Sequence, residues 1–288
     1  MLALDGSVAY SSTYMTSIQR ITAKKSLGQH FLTSAVVPTW MCDAAEITST
    51  DTVVEIGPGT GVLTKEILSR GATVIALEAD LRAIEVLRET FDTEIVAGIL
   101  ALHHIDVRKL DLATLPLISD HAFKVVANIP YYLSGFLFRT FLESAVQPTD
   151  LVYLVQKEVA KRITTDLQRG EKESLLSLSV KAYGTPKYIK TVTRGHFTPS
   201  PKVDSGIIAI QNITRENFKD IEESLFFNLL HLGFGQKRKQ LLGNLSKKYS
   251  RETLTPIFST ADIPIAARAE DISLEKWLVL VKELSFHN

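Results

Sequence analysis

Cysteine is almost absent from this 288-residue chain, which holds only Cys42. A single cysteine excludes a disulfide framework, and it excludes zinc or iron–sulfur sites built from several cysteines. No apolar run reaches the roughly 18–20 residues that a membrane-spanning helix needs. The stretch Met1–Gln19 has no basic start followed by an apolar core, so it does not have the pattern of a secretory signal. With 45% hydrophobic and 22% charged residues, we expect a globular, cytoplasmic protein.

Net charge is also absent, because 32 Lys and Arg balance 32 Asp and Glu. The balance hides an uneven distribution along the chain. Residues 43–150 carry a net charge of −8, whereas residues 157–202 and 236–251 each carry a net charge of +6. Such basic stretches are either solvated helix faces or a surface for the phosphate backbone of a nucleic acid. The zero total therefore does not exclude a nucleic-acid partner.

Strands and helices alternate from residue 52 to about residue 185, which predicts a parallel sheet covered by helices on both faces. The β-rich segments Pro186–Thr193 and Val203–Ile213 follow, and they predict an antiparallel pair at one edge of the sheet. After Glu216 the pattern is helical only, at Phe218–Leu232, Lys237–Tyr249 and Leu274–Leu284. We therefore expect a flexible extension at residues 1–19, a large α/β domain at 20–213 and a helical domain at 214–288.

A glycine-rich turn follows the first of these strands and contains Gly57, Gly59 and Gly61. Glycine suits this position because the backbone adopts unusual dihedral angles and must approach a ligand closely. No Lys-Ser or Lys-Thr follows the turn, which argues against a phosphate-binding P-loop. Glu78 ends the next strand, where its carboxylate can accept hydrogen bonds from ribose hydroxyls. The pair fits a dinucleotide-binding fold or an S-adenosylmethionine-binding fold, and a purely structural turn stays open as well.

The fourth strand ends in the sequence Asn128-Ile129-Pro130-Tyr131. Ligands of open α/β sheets bind at the carboxyl ends of the strands, where this turn lies. A carboxamide oxygen and a backbone carbonyl can accept the two hydrogens of an exocyclic amine, whose nitrogen lone pair is then available for attack. Tyr131 can stack on the base that carries the amine. The turn therefore favours methylation of a base amine, and the alternative of a purely structural strand-ending turn with its tyrosines in the core stays open.

These motifs resemble those of the ribosomal RNA adenine dimethyltransferases, the KsgA-type family. The resemblance rests on Lys25–Leu32, Val54–Gly61, Asn128–Tyr131 and Phe197–Ser205 and extends over residues 24–288. It implies a Rossmann-like class I methyltransferase domain with a mostly parallel seven-stranded sheet, followed by a small all-α domain. It also implies that S-adenosylmethionine is the methyl donor and that no metal is required.

The resemblance implies three groups of functional residues. Cofactor contacts are expected at His30, Leu32, Gly57, Gly59, Glu78, Asp106 and Asn128. Catalytic contacts to the target adenine are expected at Asn128, Pro130, Tyr131 and Phe197, with Phe197 as a second aromatic wall opposite Tyr131. RNA contacts are expected at Lys157, Lys161, Arg162, Lys202, Lys237, Arg238 and Lys239.

The resulting hypothesis is dimethylation of two adjacent adenosines in a hairpin loop near the 3′ end of small-subunit ribosomal RNA, by a monomer acting on a pre-ribosomal particle. Three alternatives stay open. The first is an erythromycin-resistance-type enzyme acting on large-subunit RNA. The second is a nucleotide-dependent oxidoreductase, in which the Asn-Ile-Pro-Tyr turn has no role. The third is a non-catalytic RNA-binding assembly factor that has kept the fold.

Overall fold

The structure, a computed structural model, describes residues 21–24, 28–112, 115 and 122–287. The expected extension Met1–Gln19 and residues 25–27 of the first motif lie outside this range. The chain divides into two compact units. Unit 1 holds the described residues up to Tyr132 together with 193–202, and unit 2 holds 133–192 together with 203–287. The domain boundary expected near residue 213 stays a prediction.

The secondary-structure elements are numbered in chain order. The strands are β1 Phe31–Leu32, β2 Thr52–Ile56, β3 Thr73–Glu78, β4 Leu100–His104, β5 Phe123–Asn128, β6 Asp150–Gln156, β7 Thr185–Val192, β8 Phe197–Thr198 and β9 Ser205–Gln211. The α-helices of the described residues are α1 Val36–Ala44, α2 Val62–Ser69, α3 Leu81–Thr90, α4 Asp92–Val96, α5 Ser134–Leu142, α6 Lys157–Ile163, α7 Leu175–Lys181, α8 Glu223–Phe234, α9 Leu241–Leu245, α10 Arg251–Thr260 and α11 Leu274–Ser285.

Unit 1 contains four parallel strands in the order β4-β3-β2-β5. These strands are short apolar runs, and β2 and β3 are almost completely buried along their length, as strands covered on both faces are. A separate two-stranded ribbon pairs β1 with β8 antiparallel, with Phe31 opposite Thr198 and Leu32 opposite Phe197. The ribbon brings together two segments that lie more than 160 residues apart in the sequence.

Unit 2 contains the antiparallel strands β6, β9 and β7, with β9 between the other two. This arrangement confirms the antiparallel pair predicted from Pro186–Thr193 and Val203–Ile213. The main sheet has seven strands in all, which confirms the predicted fold class. None of the helices in the described residues is both long and apolar enough to cross a membrane.

The helix expected over Lys237–Tyr249 is wrong at both ends. Residues 235–240 form a turn, which we call the basic turn because it carries Lys237, Arg238 and Lys239, and helix α9 spans only Leu241–Leu245. The buried Asn244 side chain explains the turn, since its Nδ2 donates to the carbonyl oxygens of Gly233 at 2.6 Å and Gln236 at 3.2 Å. These bonds satisfy carbonyls at and just beyond the end of α8, which otherwise lack intrahelical partners. Helix α10 follows as an additional, unpredicted element.

Candidate active site

The strand register places four of the expected cofactor residues at one edge of the unit 1 sheet. Ile56 on β2 is level with Leu77 on β3 and with Ala127 on β5. Gly57, Glu78 and Asn128 each come one residue later, so they lie side by side at the carboxyl ends of three neighbouring strands. Asp106 follows β4, the next strand along this edge. With strands about 4.8 Å apart, the four positions span roughly 14 Å.

The glycine turn is held against Glu78 rather than standing alone. The peptide N–H of Gly59 donates to Glu78 Oε2 at 3.1 Å, and the N–H of Asp80 donates to Oε1 at 2.8 Å. Burial raises the pKa of the Glu78 carboxyl, although these backbone hydrogen bonds favour its ionised form. The carboxylate is therefore fixed in place as a hydrogen-bond acceptor.

Gly57 provides a test of whether this edge can hold a nucleoside cofactor. Its φ of +66° lies in the left-handed region, and a Cβ built there would meet nothing within 4 Å. The turn therefore borders open space on the side where any other residue would place a side chain. A turn that leaves this space free beside a fixed carboxylate fits a ribose-containing cofactor.

Glu55 is a buried carboxyl group on β2 that the sequence reasoning did not single out. The residue is 1% exposed, and Thr64 Oγ1 donates to its Oε2 at 2.6 Å. Desolvation raises the pKa of Glu55 to about 8, so the group is mostly protonated at neutral pH. A charged residue within the apolar run Val53–Ile56 was the available signal.

Asn128 is oriented by the segment that carries His30. Its Nδ2 donates to the carbonyl oxygen of His30 at 3.0 Å. The amide nitrogen is thereby used within the protein, and the remaining polar atom of the amide, Oδ1, is an acceptor. This division gives the side chain the polarity needed to accept a hydrogen from an amine.

The two expected aromatic residues, Tyr131 and Phe197, lie in different environments. Tyr131 is half-buried, and its ring stacks near that of His30 with centroids 5.8 Å apart. His30 Nδ1 lies 2.7 Å from the carbonyl oxygen of Pro199. Phe197 is only 4% exposed and pairs with Leu32 in the β1–β8 ribbon. The role of Phe197 as a second wall of a base pocket stays a prediction, as does the role of Pro130.

Asp106 has a partner that the sequence did not reveal. Arg108 Nε lies 3.0 Å from both carboxylate oxygens of Asp106, and the Arg108 peptide N–H donates to Oδ1 at 3.0 Å. The Arg108 guanidinium lowers the pKa of the Asp106 carboxyl. Asp106 is thus an ionised acceptor at neutral pH. Its proposed contact with an adenine amine stays a prediction.

The expected RNA-binding residues are almost all on the surface. Lys161, Arg162, Lys202 and the three cations of the basic turn are exposed, whereas Lys157 is half-buried. Arg162 Nη2 lies 3.9 Å from Glu158 Oε1, and the two exposed side chains are one helical turn apart on α6. Such exposed pairs contribute little to stability, so Arg162 can exchange Glu158 for a phosphate at small cost. Within the described residues, no group of three or more His, Cys, Asp or Glu side chains could hold a metal ion.

The neighbours of the glycine turn distinguish this edge from that of other nucleotide-binding folds. At the end of β5, the side-chain nitrogen of Asn128 is bound to the protein and its oxygen is an acceptor. Hydride transfer to a dinucleotide has no role for such a group. Methyl transfer to a base amine uses that group directly. The fold and this edge together define a methyltransferase with a Rossmann-like sheet.

Comparison with known proteins is consistent with this class. The family described as ribosomal RNA adenine dimethylase matches residues 20–285. The protein named ribosomal RNA small subunit methyltransferase A of Dehalococcoides mccartyi strain CBDB1 is 40% identical over 265 residues, covering 91% of this chain and 89% of the relative. The chain belongs to the ribosomal RNA adenine dimethylase family.

Two solved structures show the same fold. A dimethyladenosine transferase from Plasmodium falciparum aligns with a TM-score of 0.71 and 25% identity, over 89% of this chain and 98% of that one. The 23S rRNA methyltransferase ErmE aligns with a TM-score of 0.69 and 23% identity, over 88% of this chain and 99% of that one. The second likeness concerns the fold alone.

Proposed function

We propose that this enzyme transfers methyl groups from S-adenosylmethionine to the exocyclic amine of two adjacent adenosines, twice on each base, in the 3′-terminal hairpin loop of small-subunit ribosomal RNA. The proposal rests on the family, on the small-subunit name of the 40% identical relative and on the geometry at Asn128. An unpaired loop base suits such an enzyme because it enters a pocket at a lower cost than a base in a duplex.

The hydrogen bond from Asn128 to His30 is the observation that carries the chemistry. When bound, S-adenosylmethionine supplies an electrophilic methyl group on a sulfonium sulfur. The lone pair of an adenine amine is delocalised into the ring and attacks poorly. Asn128 Oδ1 and the backbone carbonyl of Ile129 would accept the two amine hydrogens and favour a tetrahedral nitrogen, while Tyr131 stacks on the base. As the new C–N bond forms, the electron pair of the S–C bond would stay on sulfur and S-adenosylhomocysteine would leave as a neutral thioether. The methylated amine would then release one proton to water, so no strong base would be required.

The remaining residues divide between the cofactor and the RNA. Glu78 would accept bonds from the ribose hydroxyls and Asp106 a bond from the adenine amine of the cofactor, with Gly57, Gly59, His30 and Leu32 around it. Lys157, Lys161, Arg162, Lys202 and the basic turn would contact phosphates, because a pocket that recognises one adenine cannot by itself select a site in a ribosome. The enzyme would act in the cytoplasm as a monomer on a pre-ribosomal particle, without a metal.

Substituting Asn128 tests the chemistry. The variant Asn128→Ala should lower the rate of methyl transfer by at least about 100-fold, the usual effect of removing one polar group that stabilises a transition state. Its affinity for RNA should stay within a factor of about two, measured by filter binding. Asn217→Ala is a matched control, because Asn217 Nδ2 also donates to a carbonyl, that of Ala182 at 2.9 Å in unit 2. An undiminished rate of methyl transfer in Asn128→Ala would contradict the proposed role of Asn128, whereas intact cellular function of a variant that has lost methyl transfer would favour a non-catalytic assembly factor.

The choice of RNA is tested separately. Purified enzyme with S-adenosylmethionine should methylate small-subunit particles and leave large-subunit RNA unmodified, with dimethyladenosine mapped to two adjacent positions. Methylation of large-subunit RNA alone would favour the erythromycin-resistance-type alternative. Binding of NAD(H) but not of S-adenosylmethionine in calorimetry would favour an oxidoreductase.

A further inference from the structure

Asp80 lies two residues beyond Glu78 and is surrounded by hydrogen-bond donors. Its side chain is 2% exposed. Its carboxylate accepts bonds from Arg82 Nε at 3.0 Å and from Gln29 Nε2 at 3.2 Å, and Lys24 Nζ lies 3.8 Å away. The hydrogen bonds from Arg82 lower the pKa of Asp80 to about 2. A buried, ionised carboxylate is costly unless charged and hydrogen-bonding partners compensate for the lost water, and these three donors do so for Asp80.

Two of these partners belong to a segment far away in the sequence. We call residues 21–24 and 28–32 the N-terminal strap. Arg82 Nη1 also donates to the carbonyl oxygen of Thr22 at 3.1 Å, and the peptide N–H of Lys24 donates to Gln29 Oε1 at 2.8 Å. Ile21 is buried in a cluster with Ala83 and Val86 on helix α3. The strap is therefore fixed next to the end of β3.

The same strap contacts the ends of the next two strands. A Cβ at Gly59, in the turn after β2, would stand 3.0 Å from the ring of Phe31, so the ring packs directly on the glycine backbone. The carbonyl of His30 accepts the bond from Asn128 at the end of β5. The strap thus touches the carboxyl ends of β3, β2 and β5 in turn, which is the edge where the cofactor is proposed to bind.

We propose that Asp80 is a positioning residue for the cofactor site. Its carboxylate holds the strap in place through Gln29 and Lys24, and its peptide N–H holds the carboxylate of Glu78. The inference rests on the proposed function, because it assumes S-adenosylmethionine at this edge. One residue then connects Glu78, through its peptide N–H, to the segment that carries His30 and Leu32, through its carboxylate. It also acts on Asn128, since the His30 carbonyl that orients the amide belongs to the same strap.

The variant Asp80→Asn isolates this role from a structural one. Asp80 is the N-cap of helix α3 and accepts from the Arg82 peptide N–H at 3.2 Å. Asparagine is an equally good N-cap of the same size, so the helix keeps its cap while the charge that attracts Arg82, Lys24 and Gln29 is lost. Ser250→Ala is the control, because it removes the N-cap of α10 in unit 2 and leaves the strap untouched.

The experiment measures S-adenosylmethionine affinity by calorimetry and amide hydrogen exchange of the strap in the full-length protein without RNA. Asp80→Asn should weaken binding by about tenfold, as expected for losing one hydrogen bond to a charged group, and should increase exchange at residues 28–32. Gln29→Ala should weaken binding similarly, and the double variant should add little, because both changes break one contact. Ser250→Ala should change neither measurement.

Three outcomes would contradict the inference, and they differ in what they overturn. If the wild-type protein binds S-adenosylmethionine and Asp80→Asn binds it equally well, Asp80 does not position the site, while the proposed function stands. If binding weakens but the strap keeps its protection from exchange, the effect does not pass through the strap. If the wild-type protein does not bind S-adenosylmethionine, the proposed function fails first and the role of Asp80 fails with it.

Discussion

Replacing Glu55 with glutamine should stabilise the protein by an amount that grows with pH. Burial raises the pKa of Glu55 from its ordinary value of 4.5 to about 8 in the folded protein. Between these two values the unfolded chain has released the proton and the folded chain still holds it. The unfolded state then binds fewer protons, so the free energy of unfolding falls as pH rises, by about 1.4 kcal/mol per pH unit.

Glutamine has the size of a protonated glutamate and cannot ionise. The free energy of unfolding of Glu55→Gln therefore does not fall with pH through this group. The advantage of the variant over the wild type should be about 1 kcal/mol at pH 5, about 3 kcal/mol at pH 7 and about 5 kcal/mol at pH 9. It should vanish below about pH 4 and level off above about pH 8. The Thr64 hydroxyl, now 2.6 Å from Glu55 Oε2, can donate to the new amide oxygen in the same way.

Urea unfolding followed by circular dichroism at each pH measures the difference between the two proteins, in which all other titrations cancel. Glu85→Gln is the control, because it makes the same substitution at a glutamate that is exposed on α3 of unit 1. A difference between Glu55→Gln and wild type that stays constant from pH 5 to pH 8 would refute the reasoning. It would mean that Glu55 is already ionised in the folded protein.

Two further predictions concern the RNA surface and the glycine turn. Reversing all three cations of the basic turn should lower RNA affinity and reduce the slope of log affinity against log salt by about two to three, with S-adenosylmethionine binding unchanged in calorimetry. The control reverses three lysines that are paired with acids elsewhere in unit 2, namely Lys219, Lys276 and Lys282. An equal loss of RNA affinity in this control would show that only the net charge of the protein matters. Gly61→Ala should lower the free energy of unfolding by about 2–4 kcal/mol in urea titrations, since a Cβ at φ +80° would also stand 2.5 Å from a buried ring. Gly98 has a similar φ of +74°, but a Cβ there would meet nothing within 4 Å, so Gly98→Ala should show the dihedral cost alone. Equal losses of unfolding free energy in the two variants would show that the clash at Gly61 contributes nothing.

The local features of the site could be predicted because each depends on a few consecutive residues. Glycine at the end of a buried strand, an acid at the end of the next and the Asn-Ile-Pro-Tyr turn are all visible in short windows of sequence. The strand register then shows that Gly57, Glu78 and Asn128 lie side by side, which the sequence alone did not predict. Periodicity also gave the parallel and antiparallel parts of the sheet correctly.

The features that were missed depend on contacts between distant residues. Asp80 and Gln29 lie 51 residues apart, so no window of sequence shows that they are partners. The basic turn reads as helix from its own residues, and the Asn244 side chain that ends α8 acts on carbonyls 8 and 11 positions away. Glu55 interrupts an apolar strand, and only its burial against Thr64 shows that its proton is retained.

The β1–β8 ribbon links two parts of the site mechanically. Leu32, from the segment expected at the cofactor, is paired with Phe197, the residue expected at the target base. Because backbone hydrogen bonds join the two strands, a substitution that displaces Leu32 is expected to displace Phe197 as well. The position of Phe197 is therefore coupled to that of the segment Phe31–Leu32.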